Sequence, residues 1–309
     1  MRKLTLAGGL AAALMLAVSA QAASAHKAAA LIPQDHYAQN GDVKIHYMAE
    51  GKGPLVVMIH GFPDYWATWK PLMATLSAAG YRVAAMDTRG YNLSDKPNGV
   101  AAYAMPKLIG DVGAVIKAEG QTNAIVVGHD WGAAIAWQTV LNRPDLVNKL
   151  IIMAVPHPAG MARELATNKD QQANSQYARN FQKEGSEKNL TAEGLAGWVK
   201  DAKEKPGYIE AFKRSDFGAM MNYYRANYPR ITADSPPPAA PVYPQIKVPV
   251  LIIHGMQDKA LNAAGHSGAW NYVAADTTIL MIPTAGHFVQ HDAEALVDRT
   301  VKDWLDQRR

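Results

Sequence analysis

With 309 residues, the chain exceeds a minimal domain and has room for one large core carrying an inserted subdomain. Its formal charge of +4, without a long basic run, gives no case for nucleic-acid binding and little for adhesion to a membrane surface. It contains no cysteine, so it has neither disulfides nor a thiol open to oxidation.

The chain opens on Met1-Arg2-Lys3, an apolar stretch from Leu4 to Val18 and small residues ending in Ala20-Gln21-Ala22. This pattern predicts a signal peptide over residues 1–22, with Ala25 as the competing cleavage point, and hence an exported protein, periplasmic or secreted. An uncleaved membrane anchor is the alternative. Removal takes away Arg2 and Lys3, two of the four excess positive charges, and leaves about +2. No other apolar run approaches spanning length, so no stable membrane insertion is expected after cleavage.

From about Tyr37, short β-rich runs alternate with helical stretches, as in a mostly parallel sheet flanked by helices. Leu55 to Ile59, Val83 to Met86, Ala124 to Val127, Leu150 to Val155, Val250 to Ile253 and Thr278 to Ile282 each suit a strand buried on both faces. Four of them run into polar or glycine-containing turns, at His60-Gly61, Asp87, Gly128-His129-Asp130 and His254-Gly255. In an open α/β sheet, such carboxyl-end turns line the ligand crevice. The strand signal stops between Ala159 and Pro244, where Glu193 to Ala202 and Tyr208 to Ala226 read as helical. The expected organisation is a first core part over 33–158, a helical cap over 159–244 and a second core part over 245–309. The limb Ser235-Pro236-Pro237-Pro238-Ala239-Ala240-Pro241 reads as a stiff connector or, alternatively, a ligand for a proline-binding module.

Gly128-His129-Asp130-Trp131-Gly132 follows the strand ending in Val127 and precedes a helix-like run, Ala133 to Leu141, with the spacing of a nucleophile elbow. Asp130 takes the nucleophile's place. An aspartate that attacks a saturated carbon leaves an ester that water can cleave, whereas a serine would leave an inert ether. The chemistry indicated is therefore displacement at an sp³ carbon, as in epoxides or alkyl halides, and it calls for no cofactor or metal. His287, after a glycine at a strand exit, is the base that activates water; His291 stands at the entry to the final helix, where Asp292 is expected to cap. Asp258, in the turn His254-Gly255-Met256-Gln257-Asp258, is the acid that orients the imidazole. The other place for that acid reads Pro156-His157-Pro158 and holds no carboxylate. The backbone N–H groups of Phe62 and Trp131 are the expected oxyanion-hole donors, and His60 is expected to be structural.

Together these segments resemble the α/β-hydrolase superfamily, and within it the branch of epoxide hydrolases and haloalkane dehalogenases that uses aspartate. His60-Gly61-Phe62-Pro63-Asp64-Tyr65-Trp66, Asp87-Thr88-Arg89-Gly90-Tyr91 and the elbow are each similar to epoxide hydrolase motifs; Asn92 stands where that turn usually has glycine. Met221-Asn222-Tyr223-Tyr224-Arg225 resembles the cap motif Asn-Trp-Tyr-Arg, which puts Tyr224 on the ring-opening tyrosine and Tyr223 in place of the tryptophan. Gln176-Tyr177-Ala178-Arg179-Asn180-Phe181-Gln182 resembles the segment with the second cap tyrosine, Tyr177. The resemblance implies a small epoxide as substrate, with haloalkane or haloacid dehalogenation as the alternative. Phe62 stands where many haloalkane dehalogenases carry asparagine, and Trp131 where fluoroacetate dehalogenases carry arginine. A non-catalytic secreted binding protein on a hydrolase scaffold is the reading from another class. Nothing in the sequence indicates the oligomeric state.

Overall fold

The computed structural model describes residues 33–230 and 242–309. The expected leader and the proline-rich limb lie outside these. Among the described residues eight strands form one sheet: β1 (Gln34–Asn40), β2 (Val43–Gly51), β3 (Leu55–Ile59), β4 (Arg82–Met86), β5 (Ala124–His129), β6 (Val147–Met153), β7 (Val250–Gly255) and β8 (Thr277–Ile282). They lie in the order β1-β2-β4-β3-β5-β6-β7-β8. β2 is antiparallel to both its neighbours and every later pairing is parallel. Side chains of β3, β5 and β7 are buried on both faces, which explains their unbroken apolar runs.

Helices α1 (Lys70–Ala78), α2 (Met105–Ala118) and α3 (Trp131–Asn142) follow β3, β4 and β5. Between β6 and β7 the described residues form six helices and no strand: α4 (Pro158–Thr167), α5 (Lys169–Asn174), α6 (Gln176–Phe181), α7 (Ala192–Leu195), α8 (Lys205–Lys213) and α9 (Phe217–Asn227). After β8 come α10 (Val289–Asp292) and α11 (Glu294–Asp306). One core layer buries α2 and α3 with the cap helices; the other buries α1 against α11 through Leu72, Leu76, Val297 and Val301. Each such fully buried aliphatic side chain contributes about 1.5–3 kcal/mol relative to exposure.

Several expected elements are displaced. The strand expected at Leu150 to Val155 starts at Val147 and ends at Met153, because Ala154 turns to a positive φ of 72° at the sheet edge. The single helix expected over Tyr208 to Ala226 is two, broken at Ser215-Asp216, where the Asp216 carboxylate caps α9 by accepting the Ala219 N–H at 2.9 Å. The one expected over Glu193 to Ala202 is a short α7 and a 3-10 turn ending at Trp198; Gly194 and Gly197 weaken helix there, and the Trp198 indole is held by the Pro63 carbonyl at 3.0 Å. Asp292 caps neither α10 nor α11, whose N-caps are Phe288 and Ala293. It accepts the Gly286 N–H at 2.8 Å instead and so braces the loop that carries His287.

Candidate active site

The elbow is built by close approach. A Cβ on Gly132 would run into the Ile59 carbonyl oxygen, and one on Gly61 would collide with the Asp130 side chain. α3 can therefore start hard against the end of β3, and the chain turns at Asp130 with φ 52° and ψ −122°, a conformation costly for a non-glycine residue. The side chain projects over the sheet edge at the start of α3. Asp130 Oδ1 accepts the Phe62 N–H at 2.7 Å. Trp131 opens the helix, so its N–H is among the donors that have no intrahelical partner.

His287 Nε2 lies 3.4 Å from Asp130 Oδ2, and its Nδ1 lies 2.8 Å from Asp258 Oδ2. The second Asp258 oxygen accepts the N–H groups of Ala260 and Leu261 at 2.7 and 3.0 Å, which fixes the carboxylate from behind. Asp130, His287 and Asp258 thus form one chain of contacts across the carboxyl ends of β5, β7 and β8. His291 takes no part; its Nε2 lies 2.8 Å from Thr68 Oγ1. His60 is turned inward, with Nδ1 donating to the Gly61 carbonyl and Nε2 accepting the Thr88 N–H at 3.0 Å.

Above Asp130 the cap presents Tyr177 from α6 and Tyr224 from α9, their rings 6.1 Å apart, with Tyr224 edge-on to Trp131 at 5.0 Å. Both tyrosines, Asp130 and Trp131 line one cavity of about 410 Å³ whose other walls are mostly apolar. Tyr223 points away, donating its hydroxyl to the Arg89 carbonyl at 2.8 Å and so fastening cap to core. Arg89 is itself held by a buried two-pronged pair with Asp111, at 2.6 Å on each prong. Asn92 adopts the left-handed φ of 40° that its turn requires, and its side chain links Asp87 of the core to Arg214 of the cap.

The model of the α/β-hydrolase fold family matches residues 54–294. This chain belongs to that family. The hydrolase is 32% identical over 284 residues to the AB hydrolase superfamily protein YfhM of Bacillus subtilis, covering 87% of this chain and 96% of that protein. It is 31% identical over 295 residues to epoxide hydrolase 1 of Caenorhabditis elegans, covering 86% and 68%. An epoxide hydrolase mutant from Bacillus megaterium superposes with a TM-score of 0.82 at 31% identity, over 88% of this chain and 100% of that one.

Electrostatics divide the roles within the hydrolase's site. Burial works against a charge on His287, yet its bonds to Asp130 and Asp258 outweigh this and raise its pKa to about 10. Burial likewise opposes the Asp130 carboxylate, but the His287 contact and the Phe62 N–H hold its pKa below the usual range. The resting site is an imidazolium between two carboxylates. Burial, together with the negative charge of Asp130, pushes the phenols of Tyr177 and Tyr224 well above their ordinary pKa. They keep their protons at neutral pH and can donate them.

One contact has no signature in the sequence. His129, the residue before Asp130, lies with Nε2 2.8 Å from the His287 carbonyl oxygen. A carbonyl can only accept, so this nitrogen carries the proton. Burial, then the His287 charge, lowers the His129 pKa to about 3 and keeps it neutral. It is a strut between the elbow and the loop of the base. Its place inside the elbow motif was visible, but the partner 158 residues away was not.

Proposed function

We propose that this α/β-hydrolase is an epoxide hydrolase that opens its substrate through a covalent ester on Asp130. The observation that carries the reading is the pair of phenols, Tyr177 and Tyr224, lining the same cavity as the ionised carboxylate. With Oδ1 engaged by the Phe62 N–H, Oδ2 is the attacking oxygen and Oδ1 becomes the ester carbonyl. Attack breaks the epoxide C–O bond, and the departing alkoxide takes a proton from a phenol. The imidazolium of His287 returns that proton to the phenolate and becomes a neutral base. It can do so because ester formation has removed the charge of Asp130, one of the two carboxylates that stabilised it.

In the second step His287, still oriented by Asp258, takes a proton from water as the water attacks Cγ of the ester. The charge gathering on Oδ1 falls on the N–H groups of Phe62 and Trp131 at the positive end of α3. On collapse the Cγ–O bond to the substrate breaks, the departing oxygen takes the remaining proton of the attacking water from the new carboxyl group, and the vicinal diol leaves the Asp130 carboxylate paired again with the His287 imidazolium. A halide leaving group needs anion-binding donors and no proton, so dehalogenation leaves the two phenols without a task. A non-catalytic binding protein leaves the whole triad without one.

The test is a panel of epoxides and haloalkanes offered to the purified protein, with diol and halide both measured. Diol without halide is expected. Halide release alone, or no turnover of any member, contradicts the reading. The leader over residues 1–22 supports export to the periplasm or beyond, and the mature chain is expected to begin at Ala23. N-terminal sequencing checks this; an intact Met1 on membrane-bound protein contradicts it.

A further inference from the structure

The connection between β7 and β8 carries Asp258, and the cap takes hold of it just beyond that residue. Gln171 of α5 is fully buried. Its amide oxygen accepts the Asn262 N–H at 2.6 Å, and its amide nitrogen donates to the Ala260 carbonyl at 2.9 Å. A carbonyl can only accept and a backbone N–H can only donate, so these partners fix which way the amide faces. The second amide N–H goes to the Ser175 hydroxyl at 2.9 Å. Ser175 is the N-cap residue of α6 and stands two residues ahead of Tyr177.

The residues that Gln171 grips bracket Leu261. The N–H groups of Ala260 and Leu261 are the two that hold Asp258 Oδ1, and the Leu261 side chain lines the same cavity as Asp130 and Tyr177. The turn behind the carboxylate is therefore tied on one side to Asp258 and on the other to Gln171. If the second tie is lost the turn can shift, and the carboxylate bonded to it shifts too. Arg163 of α4 reaches the same connection farther along, at the Ala264 and Ser267 carbonyls. Its side chain is exposed and bonds neither to the turn behind Asp258 nor to α6.

We propose that Gln171 is a positioning residue for both chemical steps: through Ser175 it sets the place of Tyr177 for alkylation, and through the turn from Ala260 to Asn262 it sets the place of Asp258, and hence of His287, for hydrolysis. This inference rests on the epoxide hydrolase reading. The two phenols act in the first step alone, so a residue that also holds Asp258 is distinguished by its mark on the second. The second step has its own pH signature. In the ester, Asp130 is no longer charged and Asp258 is the carboxylate left beside the imidazole, where it raises the His287 pKa against the pull of burial. His129 and His254, the other titratable groups near that ring, are kept neutral by burial. Loosening Asp258 therefore lowers the His287 pKa, and the acid limb of the hydrolysis rate moves to lower pH.

The test follows alkylation and hydrolysis separately by rapid mixing with styrene oxide, or with whichever epoxide of the panel reacts faster, across a range of pH. Gln171→Met keeps the length of the side chain and removes its hydrogen bonds. Checked for folding by circular dichroism, it is expected to lower both rate constants by about 10- to 100-fold, the scale of a misplacement of about 1 Å, and to shift the acid limb of hydrolysis to lower pH. Ser175→Ala cuts only the tie to α6 and is expected to slow alkylation while leaving hydrolysis unchanged. Should Gln171→Met not fold, Gln171→Asn carries the same expectation, because it adds no charge and is too short to keep all three bonds. A residue that merely stabilised the fold would lower the fraction of molecules that react and leave the rate constants and the pH limb unchanged; that result in a Gln171 variant overturns the proposal. So does unchanged alkylation, or hydrolysis slowed as much as by Gln171→Met, in Ser175→Ala. Absence of reaction between the wild type and every epoxide instead overturns the functional reading, and the inference with it.

Discussion

Removing both cap hydroxyls, with Tyr177→Phe and Tyr224→Phe together, is expected to abolish epoxide opening while the folded cap persists. The rings that pack against Phe62, Phe181 and Trp131 remain in either replacement, so the aromatic cluster keeps its contacts. What disappears is the proton for the alkoxide. Each single replacement leaves one donor and is expected to slow alkylation by about 10- to 1000-fold, the worth of a few kcal/mol of transition-state stabilisation. Hydrolysis of an ester already formed is expected to change little, because the phenols have no part in that step. Rapid mixing separates the two rates. Alkylation of the double variant by an epoxide at the wild-type rate contradicts the tyrosine assignment and removes the main reason to prefer an epoxide over a haloalkane.

The parts of the fold and site legible in the sequence are those set by local constraint. Central strands such as Leu55–Ile59 are buried on both faces and read as continuous apolar runs. The elbow reads from Gly128 and Gly132, because close approach excludes any side chain at either position. The β1–β2 hairpin was harder to see, since β1 is an edge strand with most of its side chains exposed and no apolar run. The cap was legible as helical but not in its breaks: these depend on tertiary anchors, such as Trp198 reaching Pro63 across 135 residues. Tyr177 and Tyr224 came to notice through family resemblance alone, because no spacing rule links α6 and α9 to Asp130. The role of Asp292 is hidden in the sequence for a related reason. A carboxylate just ahead of a helix suggests a cap, while its actual partner, the Gly286 N–H, lies back across the turn.

The central claim is that Asp130 carries the substrate covalently and that His287, which assists alkylation, is indispensable for release of the ester. His287→Gln keeps a polar side chain of similar reach but cannot take the proton from water. Loss of the imidazolium also leaves Asp130 without its counter-ion, so alkylation is expected to slow, yet the carboxylate remains able to attack. The ester should then persist, because the uncatalysed attack of water lacks its base. Intact-mass measurement of His287→Gln after incubation with a terminal epoxide, followed by peptide mapping, tests this directly. The account predicts that the protein gains the full mass of one substrate molecule on the peptide bearing Asp130, with no sustained diol release, and that Asp130→Ala gains none. Normal turnover by His287→Gln, or an adduct on a different peptide, would contradict it.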